Sequence, residues 1–202
     1  MRIKILIIAA ISLALTSGVS QAQSNAQTVA AALQSWRDAC GDPNPDLAIG
    51  YLADAVATNN IDVRKACMRQ VFASDNVDLK SAALRITIAA LPLVRFRVEK
   101  PAEAGRFYNT IQTGFVFSAA NGDEAKGTAT WFTTISNTQP EETYSGTVSV
   151  LGPGIVWQGK VRYGSGAYVC QLATDLADGA VLQGIVNCGN LGVYNITANL
   201  MD

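Results

Sequence analysis

The sequence contains no histidine. That absence removes Ser-His-Asp and Cys-His nucleophile systems, HExxH zinc sites and every His-ligated metal or haem. A Walker loop, a dinucleotide-binding fingerprint and a CxxC pair are also missing, so no residue pattern points to phosphate, nicotinamide or thiol-redox chemistry. An excess of one charge is missing too. Fifteen Lys and Arg stand against 16 Asp and Glu, a formal charge of −1, without the basic stripe of a nucleic-acid binder. Charged residues make up only 15% and apolar ones 49% of the 202 residues, which is too apolar for disorder and enough for one or two small cores. No cofactor or metal is implied, and no nucleic-acid partner.

What is present begins with an address. Arg2 and Lys4 precede an apolar stretch from Ile5 to Leu15, and Ser20-Gln21-Ala22 offers small residues at the −3 and −1 positions of a cleavage site. Residues 1–22 therefore read as a secretory signal peptide. The apolar run is well short of the ~20 residues that span a bilayer, and no second hydrophobic span follows. The expected product is periplasmic or secreted and has no transmembrane segment after cleavage.

Export makes the cysteines readable. Cys40, Cys67, Cys170 and Cys188 fall two in each half of the remaining chain. An oxidising compartment favours two disulfides over free thiols. Four cysteines allow three pairings, and the clustering favours Cys40–Cys67 with Cys170–Cys188. Those bridges would close loops of about 27 and 18 residues, each worth ~3 kcal/mol in the chain-entropy model.

The character of the chain changes near Pro92, which suggests a helical domain at 23–92 and a β domain at 93–202. Within the first, Asn44-Pro-Asp-Leu, Asn60-Ile-Asp-Val and Asn76-Val-Asp-Leu recur every 16 residues, each opening an apolar-periodic run. Asn there can cap the exposed N–H groups of a new helix, and Asp near that end suits the helix dipole. Helices are expected at about 26–38, 46–57, 62–73 and 78–90. Val29, Leu33, Trp36 and Cys40 share a face of the first, and Val63, Cys67 and Val71 a face of the third. The phrases Asp62-Val-Arg-Lys-Ala and Asp78-Leu-Lys-Ser-Ala-Ala-Leu-Arg resemble the second helix of HEAT-type repeats over roughly 45 residues. That resemblance implies stacked helix pairs and a protein-binding array. Only about two such pairs fit here, and a compact four-helix cap on the other domain is the preferred reading.

Residues 93–202 switch to strand period. Val94, Phe96 and Val98 alternate with Arg95 and Arg97, and further β-rich runs follow at about 106–118, 127–136, 143–151, 155–163, 167–174, 180–188 and 193–200. Asn121-Gly122, Gly152-Pro-Gly154, Gly164-Ser-Gly166, Asp178-Gly179 and Gly189-Asn190 read as turns between them. Eight strands with no helix between them imply an antiparallel β-sandwich or small barrel, and an α+β protein as a whole. Cys170 and Cys188 lie symmetrically about Gly179, so they could face each other across one hairpin.

Candidate chemistry is sparse. Asp123-Glu124 and Glu141-Glu142 are conspicuous acidic pairs, but both lie in expected turns, where solvated charges are ordinary. A pair of carboxylates in a cleft would support a hydrolase. Trp131, Trp157, Tyr163, Tyr168 and Tyr194 could form a binding patch, or could fill the core, as the even spacing of Trp157 and Tyr163 with Ile155 and Val161 suggests. On that alternation Arg162 and Lys160 face water. They are two of only four basic residues after position 100, against eight acidic ones. Arg162, Lys160 and Tyr168 are the candidate binding residues, and no catalytic residue is assigned.

Arg162-Tyr163-Gly-Ser-Gly166-Ala-Tyr168, followed by Ile185-Val186-Asn187-Cys188, resembles a stretch of the periplasmic inhibitors of c-type lysozyme over about 27 residues. That resemblance implies a small exported barrel with a disulfide that blocks an enzyme cleft with a loop. The Lys-Gly that follows the Tyr in those inhibitors is absent here, and they have no helical half. The reading that results is a non-enzymatic binding protein of the bacterial periplasm or exterior, its partner an unknown protein or envelope component. An enzyme inhibitor and a carboxylate hydrolase are the alternatives.

Overall fold

Three asparagines set 16 residues apart each open a helix by the same local device. In the computed structural model, which describes residues 17–134 and 142–202, α1 spans Ser17–Cys40, α2 Pro45–Ala57, α3 Ile61–Phe72 and α4 Val77–Ala90. Most of the expected signal peptide, and Glu141, lie outside the described residues. Asn44 Oδ1 accepts from the N–H of Asp46, Asn60 Oδ1 from Asp62 and Val63, and Asn76 Oδ1 from Asp78 and Leu79. Two residues upstream of each, Asp42, Thr58 and Ser74 accept the N–H of the capping Asn in turn. The repeat then continues along each helix: Leu52, Met68 and Leu84 occupy equivalent positions, as do Ala55, Val71 and Thr87, and all six are buried. Asn76→Ala removes a cap from the helix that meets the barrel. It is expected to lower stability by ~1 kcal/mol in urea unfolding, with little change in slope.

The recurring unit is thus one capped helix, not the helix pair that a HEAT-type likeness implies, and that likeness is not supported. α3 packs on both α1 and α2, and α2 also meets α4. The C-terminal part of α1 takes part. Residues 25–32 are exposed, Val29 among them, while Leu33 and Trp36 lean on the core and Cys40 is buried. Cys40 is bonded to Cys67 of α3 with a Cα–Cα distance of 5.1 Å, so the expected bridge between packed helices is formed.

Eight antiparallel strands follow: β1 Leu93–Val98, β2 Phe115–Asp123, β3 Thr128–Thr134, β4 Ser145–Leu151, β5 Gly154–Tyr163, β6 Gly166–Leu176, β7 Val181–Asn187 and β8 Val193–Asn199. Each pairs with the next in sequence, and β1 pairs with β8 to close a barrel. Tight connections explain the simple order. Tyr163 pairs with Gly166 and Leu151 with Gly154, leaving two-residue turns whose first residues, Gly164 and Gly152, sit at φ near +60°. The β6–β7 register centres on Gly179 and brings Cys170 to Cys188, whose Cα atoms are 4.1 Å apart in the second disulfide.

Two local expectations are corrected. Residues 106–111 form a short helix, α5 (Arg106–Ile111), not the start of a strand, so a helix does interrupt the β half. Its Phe107, Tyr108 and Ile111 are buried, and the rings of Phe107 and Tyr163 pack edge to face at 5.1 Å. These side chains plug the barrel end where β5 turns into β6. Asn121-Gly122 is not the β2–β3 turn. It lies inside β2 at a bulge, with Asn121 at φ 54°, and the chain reverses over 124–127. A Cβ on Gly122 would fall on the main chain of Ala89, so glycine lets the bulge touch α4. α4 caps the opposite end of the barrel along β2, β3 and β4, and one continuous core runs from Leu52 and Phe72 through Leu84 and Ile88 to the strands.

Candidate functional site

The aromatic side chains turn inward and fill the barrel. Phe117 is the hub: its ring lies 4.8 Å from Trp131, 4.9 Å from Trp157, 4.9 Å from Phe115 and 5.8 Å from Phe96. A second group of rings, Phe107, Tyr108, Tyr163, Tyr168 and Tyr194, closes the α5 end. Tyr194 donates its hydroxyl to the carbonyl of Leu191 at 2.6 Å, and burial, with Tyr163 nearby, holds its pKa above the ordinary phenol value. Of the two readings of these aromatic residues, core packing, which their spacing suggests, is the one observed.

This arrangement separates the candidate binding residues. Arg162 and Lys160 are exposed on the outer face of β5. Tyr168 pairs with Val161 across the β5–β6 ladder, and paired residues share a face, so it points inward with the core. The alternation that sends Arg162 outward sends Tyr168 in, and the three do not form one site. Arg162 instead lies over the ring of Tyr144, its guanidinium carbon 5.8 Å from the centroid, at the edge of a 3₁₀ turn spanning Glu142–Tyr144.

Lys160 lies in an open groove of about 910 Å³ on the outer face of β4, β5 and β6. Thr147, Ser149, Gln158 and Gln171 supply its hydroxyls and amides, Val156 and Val169 its exposed apolar contacts, and Glu142 a carboxylate at its rim. The register builds this surface. Thr147, Gln158, Gln171 and Asn187 stand in one row across four strands, and Ser149, Val156, Ala173 and Ile185 form the next. Gly146 faces Gly159 beneath the groove, and a Cβ on either would collide with the main chain of the partner strand. The missing side chains let β4 and β5 approach closely beside Trp157.

Gln158 and Gln171 escaped the sequence reading. Their outward parity, with Lys160 on β5 and with Val169 on β6, follows from alternation, but that they stand side by side follows only from the strand pairing.

Of the acidic candidates that are described, Asp123 ends β2, Glu124 begins the turn after it, and Glu142 opens the 3₁₀ turn ahead of β4. Asp123 pairs with Lys126 at 2.9 Å in the β2–β3 turn, and the hydrogen bond from Lys126 holds its carboxyl below the usual carboxylate range. Among the described residues no group of three or more Cys, Asp or Glu could hold a metal ion, and no helix is long and apolar enough to cross a membrane. No family model, curated protein or solved structure matches the chain.

Proposed function

We propose that the protein is an exported, disulfide-stabilised binding protein that acts by contact, through the outer face of β4–β6. The groove around Lys160 carries this reading. Its interior counterpart is filled with rings, so a ligand is better received outside the barrel than within it. The two disulfides support an oxidising compartment, periplasmic or exterior. Amides and hydroxyls that both donate and accept suit a partner surface, protein or envelope component, rich in neutral hydrogen-bonding groups. Arg162 and Lys160 add two cations at one end of that face, and a planar guanidinium can pair two-fold with a carboxylate.

The test captures partners from envelope extracts on the immobilised protein and repeats the capture with Gln158→Ala/Gln171→Ala and with Arg162→Ala. Lys126→Ala, in the β2–β3 turn, is the control. The double amide variant is expected to lose at least tenfold in affinity for the captured partner. Arg162→Ala is expected to lose several-fold, and all variants to keep their stability within about 0.5 kcal/mol. Equal capture by wild type and the double variant would refute the assignment of the face. A turnover abolished by Asp123→Asn would refute contact as the mode of action.

A further inference from the structure

The barrel closes by its shortest ladder. β7 and β8 pair over seven positions, from Val181–Asn199 to Asn187–Val193. β1 and β8 pair only at Arg97–Thr197 and Val98–Ile196, extended by a bond from Glu99 N–H to the carbonyl of Asn195. Below Arg97 the two strands are strapped to opposite neighbours. The N–H of Leu200 donates to Ala180 in the β6–β7 connection, while the carbonyl of Pro92, just ahead of β1, accepts from Ala119 of β2. The seam therefore opens into a crevice of about 390 Å³.

The floor of this crevice is apolar and reaches the core: Leu91, Val94, Ala198 and Leu200 line it, and all four are buried. Arg95 and Arg97 stand on its β1 side. Among the described residues neither guanidinium has an acid within ion-pairing distance. In the alternation that turns the main-chain groups of Arg97 and Glu99 toward β8, Arg95 comes next, and it has no β8 partner. Its N–H thus faces the mouth. The one acid in the lining is Asp202, whose carboxylate already accepts from the side-chain amide of Asn199 at 3.0 Å. Arg95 and Arg97 thus bring two cations, without an ion-pair partner among the described residues, to the β1 side of the mouth.

We infer that the β1–β8 seam is a binding site for a small amphipathic carboxylate. The head group lies between Arg95 and Arg97, and the apolar body rests on Val94, Ala198 and Leu200. The volume suits a ligand of modest size, and an apolar pocket with a few convergent polar groups is the usual form of a small-molecule site. The guanidiniums supply charge-assisted, two-fold hydrogen bonds that a neutral or cationic head could not use. This site lies away from the β4–β6 groove, so its fate is independent of the contact surface proposed above.

Octanoate is the probe, with 1-octanol and octylamine for comparison, titrated calorimetrically into the full chain. Saturable one-to-one binding of octanoate is expected, at least tenfold tighter than either comparison compound. Arg95→Gln/Arg97→Gln is expected to raise its Kd more than tenfold, and Arg106→Gln on α5 to leave it unchanged. Val181→Phe, at the lining of the crevice, is expected to weaken octanoate and octanol alike. Absence of octanoate binding, octylamine binding as tightly as octanoate, or an unchanged Kd in the double Arg variant would each overturn the site.

Discussion

Phe117→Ala is expected to cost 3–5 kcal/mol, the largest effect of any single side-chain truncation considered for this molecule. Phe117 is fully buried and touches four other rings, Phe96, Phe115, Trp131 and Trp157, contributed by β1, β2, β3 and β5. Its removal takes away the transfer energy of a phenyl ring. It also leaves a void that rigid indoles on either side cannot collapse into, because each is held by its own strand. Phe117→Leu keeps part of the volume and should recover much of the loss. Leu151→Ala is the contrast: that side chain is 62% exposed at the end of β4, and its loss should stay within about 0.5 kcal/mol. Urea unfolding followed by tryptophan fluorescence reads all three, since Trp131 and Trp157 report on the same cluster. Equal midpoints for Phe117→Ala and Leu151→Ala would mean that the ring cluster is not the centre of barrel stability.

Much of this fold is written in local chemistry, and that part was legible. Asn44, Asn60 and Asn76 announce helix starts because a capping side chain acts within three residues of itself, whatever the rest of the chain does. The two-residue turns at Gly152 and Gly164 are equally local, and so is the inward parity of Ile155, Trp157 and Val161. The Cys170–Cys188 bridge follows from hairpin symmetry about Gly179. The errors fall where distant chain decides. Arg106–Ile111 is ring-rich and too short for a helical period to declare itself, and it is helical because Tyr163 and Tyr194 receive Phe107 at the barrel end. Asn121-Gly122 carries the letters of a hairpin turn, yet α4 occupies the space beside it and the reversal is displaced to 124–127.

The candidate sites divide the same way. Outward placement of Lys160 and Arg162 follows from alternation alone. The groove does not, because its width depends on Gly146 meeting Gly159 and on which row of β4 faces which row of β6. The inward place of Tyr168 is set by the register that puts it opposite Val161. The seam crevice is further still from sequence. Arg95 and Arg97 read as ordinary solvated strand residues until the β1–β8 ladder is seen to stop at Arg97 while β8 stays paired with β7.

The second large effect concerns the disulfides. Cys40→Ala/Cys67→Ala and Cys170→Ala/Cys188→Ala are each expected to cost about 3 kcal/mol, the former slightly more because its sequence separation is 27 against 18. Alanine is chosen because all four sulfurs are buried, and a serine hydroxyl left there without a partner would add its own penalty. For a chain of this size that loss corresponds to a fall in Tm of roughly 6–12 °C. The two pairs should differ in where the structure loosens. Cys170 and Cys188 join strands already paired over six positions, so β6 and β7 should keep their amide protection in the variant. Cys40 instead ties down the end of a helix whose residues 25–32 are exposed, so loss of that bridge should raise hydrogen exchange throughout α1. Wild-type protein made in a reducing cytoplasm should match the variant lacking both bridges, and the exported protein should not. Identical melting of the cytoplasmic and exported forms would break the link between the bridges and compartment, and unchanged exchange in α1 would show that Leu33 and Trp36 hold the helix without help from Cys40.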